Sequence, residues 1–354
     1  MVRKILSWVT LAVVAVIVWA SWGEVSEALS YLSEMNVFVL LLLIPEQLYM
    51  YYCAGQMFFS YLRAKKDIEV RHWDLMRISC EINFVKNMTP SGGVWLGLGY
   101  VTWRLKKFGA TVGQISFVYI LRYLIVIIAN LLQTMIALAV IWVAGCAKEG
   151  FEWVLWLAIA NCVVIAVGVI VVVLVASSRE KIEWFSKVIS KLINGAVRAV
   201  TLGRRRKVVD REKMDEYFWD LHADVLIAKR SKGILVRPFV WGMLYSFFEV
   251  ATYWVVGISM GHPEILPQIL VGEAIASTVG AVLSTPSGIG GYEGAMIFVM
   301  MALGVDVGLA TAVVVTTRVI VLLGTIVSGW GFYQHAITTV GRRRGGEVGE
   351  DSKA

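Results

Sequence analysis

The 354 residues are 58% apolar and 17% charged, with a mean hydropathy of +0.71, which excludes an ordinary soluble domain. The net charge of +7 gathers at residues 3–4, 63–77, 104–107, 179–237 and 342–353, whereas the connections 23–35, 144–152, 260–267 and 304–308 carry one lysine, Lys148, among several acids. This is the positive-inside pattern of a multi-pass protein of the cell membrane rather than the basic face of a nucleic-acid binder, and it puts both termini on the cytoplasmic side.

In chain order, residues 5–22 read as a first spanning helix, since no small-residue cleavage site follows them. Residues 36–62 return, interrupted by "PEQ" at 45–47. Residues 75–88 and 94–105 flank "TPSG" at 89–92, and each is about a dozen residues, roughly 18–20 Å of helix, too short to cross alone. Basic sequence on both sides (Arg71, Arg77; Arg104, Lys106, Lys107) makes this pair a hairpin that enters from the cytoplasm. Residues 114–144 and 153–176 cross outward and back.

Residues 177–233 form a cytoplasmic linker. It holds an amphipathic stretch, "REKIEWFSKVISKLINGAVRAV", expected along the membrane surface, then "GRRRK" and a mixed-charge helix at about 209–230. Residues 234–259 cross outward, 268–284 and 292–303 flank a second "TPSG" at 285–288, and 309–338 cross inward. The expected fold is all-α: six spanning helices plus two re-entrant broken hairpins. A rival count makes all four half-segments full spans, giving ten helices on the same loop sides; their length and central Pro-Gly break favour the hairpins.

The spacing from Thr89 to Arg122 is 33 residues, and from Thr285 to Arg318 it is again 33. Both copies hold a Gly turn between ("FGATVG" at 108–113, "LGVDVG" at 303–308). Loop charge brings the first hairpin in from inside and the second from outside. The chain is thus expected to be one membrane domain with an inverted-topology repeat, about 75–144 and 268–338, a layout in which transporters place substrate where the repeats meet.

A broken helix exposes backbone groups that lipid cannot satisfy, so they must face protein or a wet cavity. The N-terminus of each second half-helix favours an anion there. Thr89, Ser91, Gly92, Thr285, Ser287, Gly288 and Gly290 are the candidate substrate contacts at the two breaks. The competing reading is that these are tight turns for helix packing.

Arg122 and Arg318 lie about nine residues inside their helices, roughly 13 Å deep. They are read either as bidentate phosphate ligands or as ion-pair partners of Glu81, Glu249, Glu273 or Glu293. Glu293, Glu46 and Glu81 are the candidates for proton or ion coupling. His72, His222, His262 and His335 are placed in loops or helix ends and make no metal-ligand pair. Cys53, Cys80, Cys146 and Cys162 have the spacing of neither a disulfide framework nor a zinc site and are read as packing residues. No metal or cofactor is expected.

The first "TPSGG" with its basic turn, "PSGIGGYEG" and the later "TTRVIVLLGTIVSG" resemble the lysylphosphatidylglycerol synthase transmembrane-region family of flippase-like proteins, over roughly residues 5–338. Pro286-Ser287-Gly288-x-Gly290-x-x-Glu293 is the more specific match. The first copy departs, with Val94 and Trp95 where an acid is expected. Larger members carry a soluble aminoacyl-transfer domain; with about 16 residues after the last helix, that activity is not expected here.

The resemblance implies movement of a lipid with a phosphate head group between leaflets: a phospholipid, an aminoacylated lipid or a polyprenyl-phosphate-linked sugar. Its partners would be membrane lipids with anionic head groups and a second copy of the chain. The alternatives are a catalytic or non-catalytic membrane subunit of a glycolipid or aminoacyl-lipid pathway and a small-anion transporter. Against catalysis, no nucleophile–base pair or His/Asp metal set is seen. No G-x-x-x-x-G-K-[ST] nucleotide loop is seen either.

Overall fold

The computed structural model of the protein describes residues 30–31, 35–66, 71–87, 93–143, 151–177, 211–283 and 291–350. Among them, no strand occurs. A single turn at Val37–Leu40, capped by the Asn36 side chain accepting from the Phe38 N–H at 3.0 Å, leads into α1 (Leu43–Lys66). There follow α2 (His72–Asn87), α3 (Gly93–Leu105), α4 (Val112–Val143), α5 (Phe151–Ser177) and α6 (Arg211–Arg230). The chain continues with α7 (Gly233–Ser259), α8 (Leu266–Leu283), α9 (Gly291–Ala302) and α10 (Val307–Glu350). Pro45 and Pro267 sit in the first turns of α1 and α8, where a missing N–H removes no helical hydrogen bond.

Four stretches among the described residues are long and apolar enough to cross a membrane: Val37–Lys65, Val112–Ala139, Gly233–Ser259 and Val307–Ala336. They match four of the six expected spans. The fifth, 153–176, is α5, which carries the shorter apolar stretch Leu155–Gly168. The expected span 5–22 and the amphipathic part of the linker lie outside the described residues, and so do Thr89, Ser91, Gly92, Thr285, Ser287, Gly288 and Gly290.

The helices flanking the two breaks form where the sequence puts them. α3 has 13 residues and α9 has 12, about 20 Å of helix against an apolar membrane core of about 30 Å. Each then turns through a left-handed glycine, Gly109 at φ 79° and Gly304 at φ 88°, a conformation that costs glycine no steric strain. The next helix starts on a side-chain cap. Thr111 and Gln114 exchange bonds in a capping box, the Gln114 N–H donating to Thr111 Oγ1 at 3.3 Å and the Thr111 N–H to Gln114 Oε1 at 3.1 Å. Asp306 Oδ1 accepts from the Gly308 N–H at 2.8 Å and the Leu309 N–H at 3.2 Å.

α1 and α7 pack lengthwise and antiparallel: the start of α1 meets the end of α7 at Glu46–Thr252, and Met57 reaches back to Gly242. One apolar core joins the C-terminal half of α1 to α2, α3, the start of α4 and the first turn of α7 (Phe58, Leu62, Ile78, Leu105, Val118, Leu235). A second joins the start of α1 and the C-terminal half of α7 to α8, α9 and α10 (Leu43, Val250, Val256, Ile269, Met300, Val313). The two broken pairs therefore sit at opposite ends of the α1–α7 pair.

The long helices cross over, α4 packing on α8 and α10 on α2. Close approach depends on missing side chains: a Cβ at Gly329 would lie 2.4 Å from Phe84 Cβ and 2.9 Å from the Cys80 carbonyl oxygen, and one at Gly242 would lie 2.0 Å from Ile125 Cγ2. At the basic end, α6 docks through Asp224, fully buried and held by Lys65 Nζ and by the Tyr61 hydroxyl, which donates at 2.9 Å. His222 lies mid-helix and buried in α6, and His335 lies within α10, not in loops or helix ends as the sequence suggested.

Candidate functional site

Four side chains from α4, α1 and α7 build the first part of the site. Arg122, on α4 and 9% exposed, sits between two aromatic rings, its Cζ 5.3 Å from the Phe58 centroid and 5.6 Å from that of Tyr245. Such contacts stabilise a desolvated guanidinium by about 2 kcal/mol or more, and the Tyr245 hydroxyl is also within hydrogen-bonding reach of it. Among the described residues, no carboxylate lies within 4 Å of it. Arg122 lines a cavity of about 10 Å³ with Tyr51, Ser79, Asn83 and Tyr245, room for one water at most. Tyr51 and Asn83 hydrogen-bond Thr325 of α10 at 3.1 and 3.3 Å, so five elements of the fold converge on this point.

Arg318 meets a different environment. Its Nε donates to Glu293 Oε1 at 2.5 Å, and its Cζ lies 5.0 Å from the Tyr292 ring. Glu293 stands in the first turn of α9, so this pair ties the second half-helix to the long helix behind it. The sequence left Arg318 between substrate ligand and ion-pair partner; in this arrangement it is the ion-pair partner of Glu293.

The repeat register explains why the two arginines differ. With Thr89 laid on Thr285 and Arg122 on Arg318, the position of Glu293 is taken by Gly97. Arg122 therefore lacks the acid that neutralises its counterpart.

Glu81 is engaged elsewhere. It is fully buried and bound bidentately by Arg104, Nε to Oε2 at 2.6 Å and Nη2 to Oε1 at 3.0 Å, with the Tyr100 hydroxyl donating at 3.0 Å and Arg77 Nε 3.4 Å away. This closes α2 on α3. Arg104 reads in the sequence as a loop-flanking charge, yet it is buried. Glu46 Oε1 accepts from the Thr252 hydroxyl at 3.0 Å, and its Oε2 has no hydrogen-bond partner among the described residues. Lys86 lies 5.6 Å from the Tyr123 ring.

Between the arginines runs a stripe on α7 that the sequence reading did not assemble: Tyr245, Glu249 and Tyr253, at i, i+4 and i+8 on one helix face. Tyr245 faces Arg122. Tyr253 stacks on Tyr292, ring centroids 6.4 Å apart. Glu249 lies within the electrostatic reach of Lys86, Arg122 and Arg318. The available signal was the recurrence of polar-tipped residues every fourth position in an apolar helix.

A family model described as the lysylphosphatidylglycerol synthase TM region matches residues 7–329. No curated protein and no solved structure matches the chain.

Proposed function

The chain belongs to the lysylphosphatidylglycerol synthase transmembrane-region family, and on that premise we propose that it moves a phosphate-bearing lipid between the leaflets of the cell membrane without covalent chemistry. The observation that carries this reading is Arg122: a buried guanidinium with no carboxylate within 4 Å among the described residues, beside a small cavity that Tyr51, Ser79, Asn83 and Tyr245 also line. A cation in such surroundings is costly unless an anion completes it, and a phosphate oxygen pair matches the guanidinium fork.

The inverted-repeat reading is supported by the two broken pairs lying at opposite ends of α1–α7 and by the crossed packing of α4 on α8 and α10 on α2. In this reading the hairpins are re-entrant and both termini cytoplasmic. The cavity is too small for a phosphate, so the site opens by the two halves moving against each other while the lipid tails stay in the bilayer. Arg122 binds the head group first. The half-helix N-termini beyond Thr89, Ser91, Gly92 and Thr285, Ser287, Gly288, Gly290 receive it on either side, and the Glu293–Arg318 pair acts as a closing contact.

The test is leaflet exchange in proteoliposomes, run over a panel of phosphate-bearing lipids with recovery of the lipids afterwards. Exchange with lipids intact supports transport. Altered covalent structure in the recovered lipid would favour an enzyme, and no exchange of any lipid would sink the reading.

A further inference from the structure

Glu273 lies on α8, the first half-helix of the second broken pair, and is 1% exposed. Its Oε1 accepts the Ser277 hydroxyl at 2.6 Å; its Oε2 is buried with no hydrogen-bond partner among the described residues, and no Lys, Arg or His lies within 4 Å there. The other two buried half-helix carboxylates, Glu81 and Glu293, each hold an arginine.

The repeat register sharpens the contrast. With Thr89 on Thr285, Arg77 falls on Glu273 and Glu81 falls on Ser277. The first copy fills these two places with an i,i+4 ion pair at 3.4 Å. The second fills them with a carboxyl and a hydroxyl.

An ionised carboxylate without a cation is expensive in such a site and is relieved by taking a proton. The surrounding titratable groups do not supply the missing charge. Glu249 and Tyr253 on α7 and Tyr292 on α9 lie within its electrostatic reach. Glu293 on α9 and Arg318 on α10 are paired to each other, with the Arg318 guanidinium over the Tyr292 ring. From α4 and α5, Ala137 and Ala158 pack in one cluster with Val271 and Ile275, the α8 residues two before and two after Glu273, and the buried polar side chains of α4, Asn130, Gln133 and Thr134, carry no charge. Among the described residues, no group of three His, Cys, Asp or Glu gathers there.

We infer that Glu273 is a reversible proton-binding site in the membrane core, and that its proton, taken up at Oε2 when the second hairpin opens to water and given back on the other side, couples lipid movement to a proton gradient. The coupling rests on the transport reading above; the proton site rests on the burial of Glu273 and its unpartnered Oε2.

The experiment uses the full chain in proteoliposomes. Dicyclohexylcarbodiimide, which adds to protonated carboxyls in apolar surroundings, should modify Glu273, located by peptide mass spectrometry, and the yield should fall as pH is raised. Exchange of a fluorescent phosphatidylglycerol should respond to an imposed pH gradient in wild type and lose that response in Glu273→Gln, while Glu273→Asp, which keeps the carboxyl, should retain it. No adduct at Glu273 at any pH overturns the proton site. A Glu273→Gln gradient response equal to wild type overturns the coupling. If no lipid exchanges in wild type, the transport reading and its coupling fall, and carbodiimide labelling alone decides the proton site.

Discussion

Arg318 Nε meets Glu293 Oε1 at 2.5 Å, while Arg122, one repeat earlier, has Gly97 at the position that Glu293 fills. The guanidinium thus has an acid in direct contact in one copy and no carboxylate within 4 Å among the described residues in the other. If Arg122 is the phosphate ligand, replacing its planar fork with a point charge removes at least one charge-assisted hydrogen bond. Arg122→Lys is then expected to slow lipid exchange about tenfold or more with the protein still folded. Arg318→Lys, which keeps a charge beside Glu293, should lose far less. Exchange rates of the two variants in matched vesicles decide this, and equal losses would count against the division of roles.

The Glu81–Arg104 pair makes a stability prediction instead. Removing one partner of a buried pair leaves the other charge unbalanced, a loss of about 3–5 kcal/mol. Arg104→Met should therefore lower the thermal midpoint in detergent sharply, and Glu81→Gln added to it should recover part of the loss. A double variant no more stable than the single would mean that Arg104 acts through packing rather than charge.

Much of this arrangement was legible in the sequence because it is written locally. Pro-Gly breaks stop helices within a residue or two, so the segments 75–88, 94–105, 268–284 and 292–303 correspond to α2, α3, α8 and α9. The Gly turns were placed for the same reason, and Gly109 and Gly304 carry them. Pairings between helices were harder. Glu81 had several arginines within plausible reach, and the choice of Arg104 depends on how α2 folds back on α3. The Tyr245–Glu249–Tyr253 stripe has meaning only once α4, α9 and α10 surround α7. Arg104 was misplaced because a basic residue beside a loop reads as solvated, whereas the hairpin closes over it.

Glycine contacts separate packing from sequence context. Gly329→Ala places a methyl against the Cys80 carbonyl oxygen and Phe84, between α10 and α2, where neither neighbour is the end of a flexible side chain. It should destabilise the protein by about 1–3 kcal/mol. Gly294→Ala, whose Cβ would meet nothing within 4 Å, should be close to neutral. Thermal unfolding of both in one detergent checks the pair.

Topology is tested at the breaks themselves. In a cysteine-free background, Ser91→Cys and Ser287→Cys should react with an impermeant maleimide from opposite faces of oriented vesicles. Labelling of both from one face would remove the inverted repeat and with it the exchange of roles between the two halves.

The two buried glutamates of the second broken pair should fail in different ways. Glu293 is held by Arg318, so its loss frees a cation and weakens the contact between α9 and α10. Glu293→Gln is expected to slow exchange about tenfold or more, since a hydrogen bond between charged groups is lost, yet the remaining exchange should still respond to pH. Glu273→Gln, which removes a carboxyl that has no cation within 4 Å among the described residues, should abolish the response to pH. Exchange measured across a pH series for wild type and both variants separates the two. A flat profile for Glu293→Gln together with a normal one for Glu273→Gln would reverse the assignment and make Glu293 the residue that carries the proton.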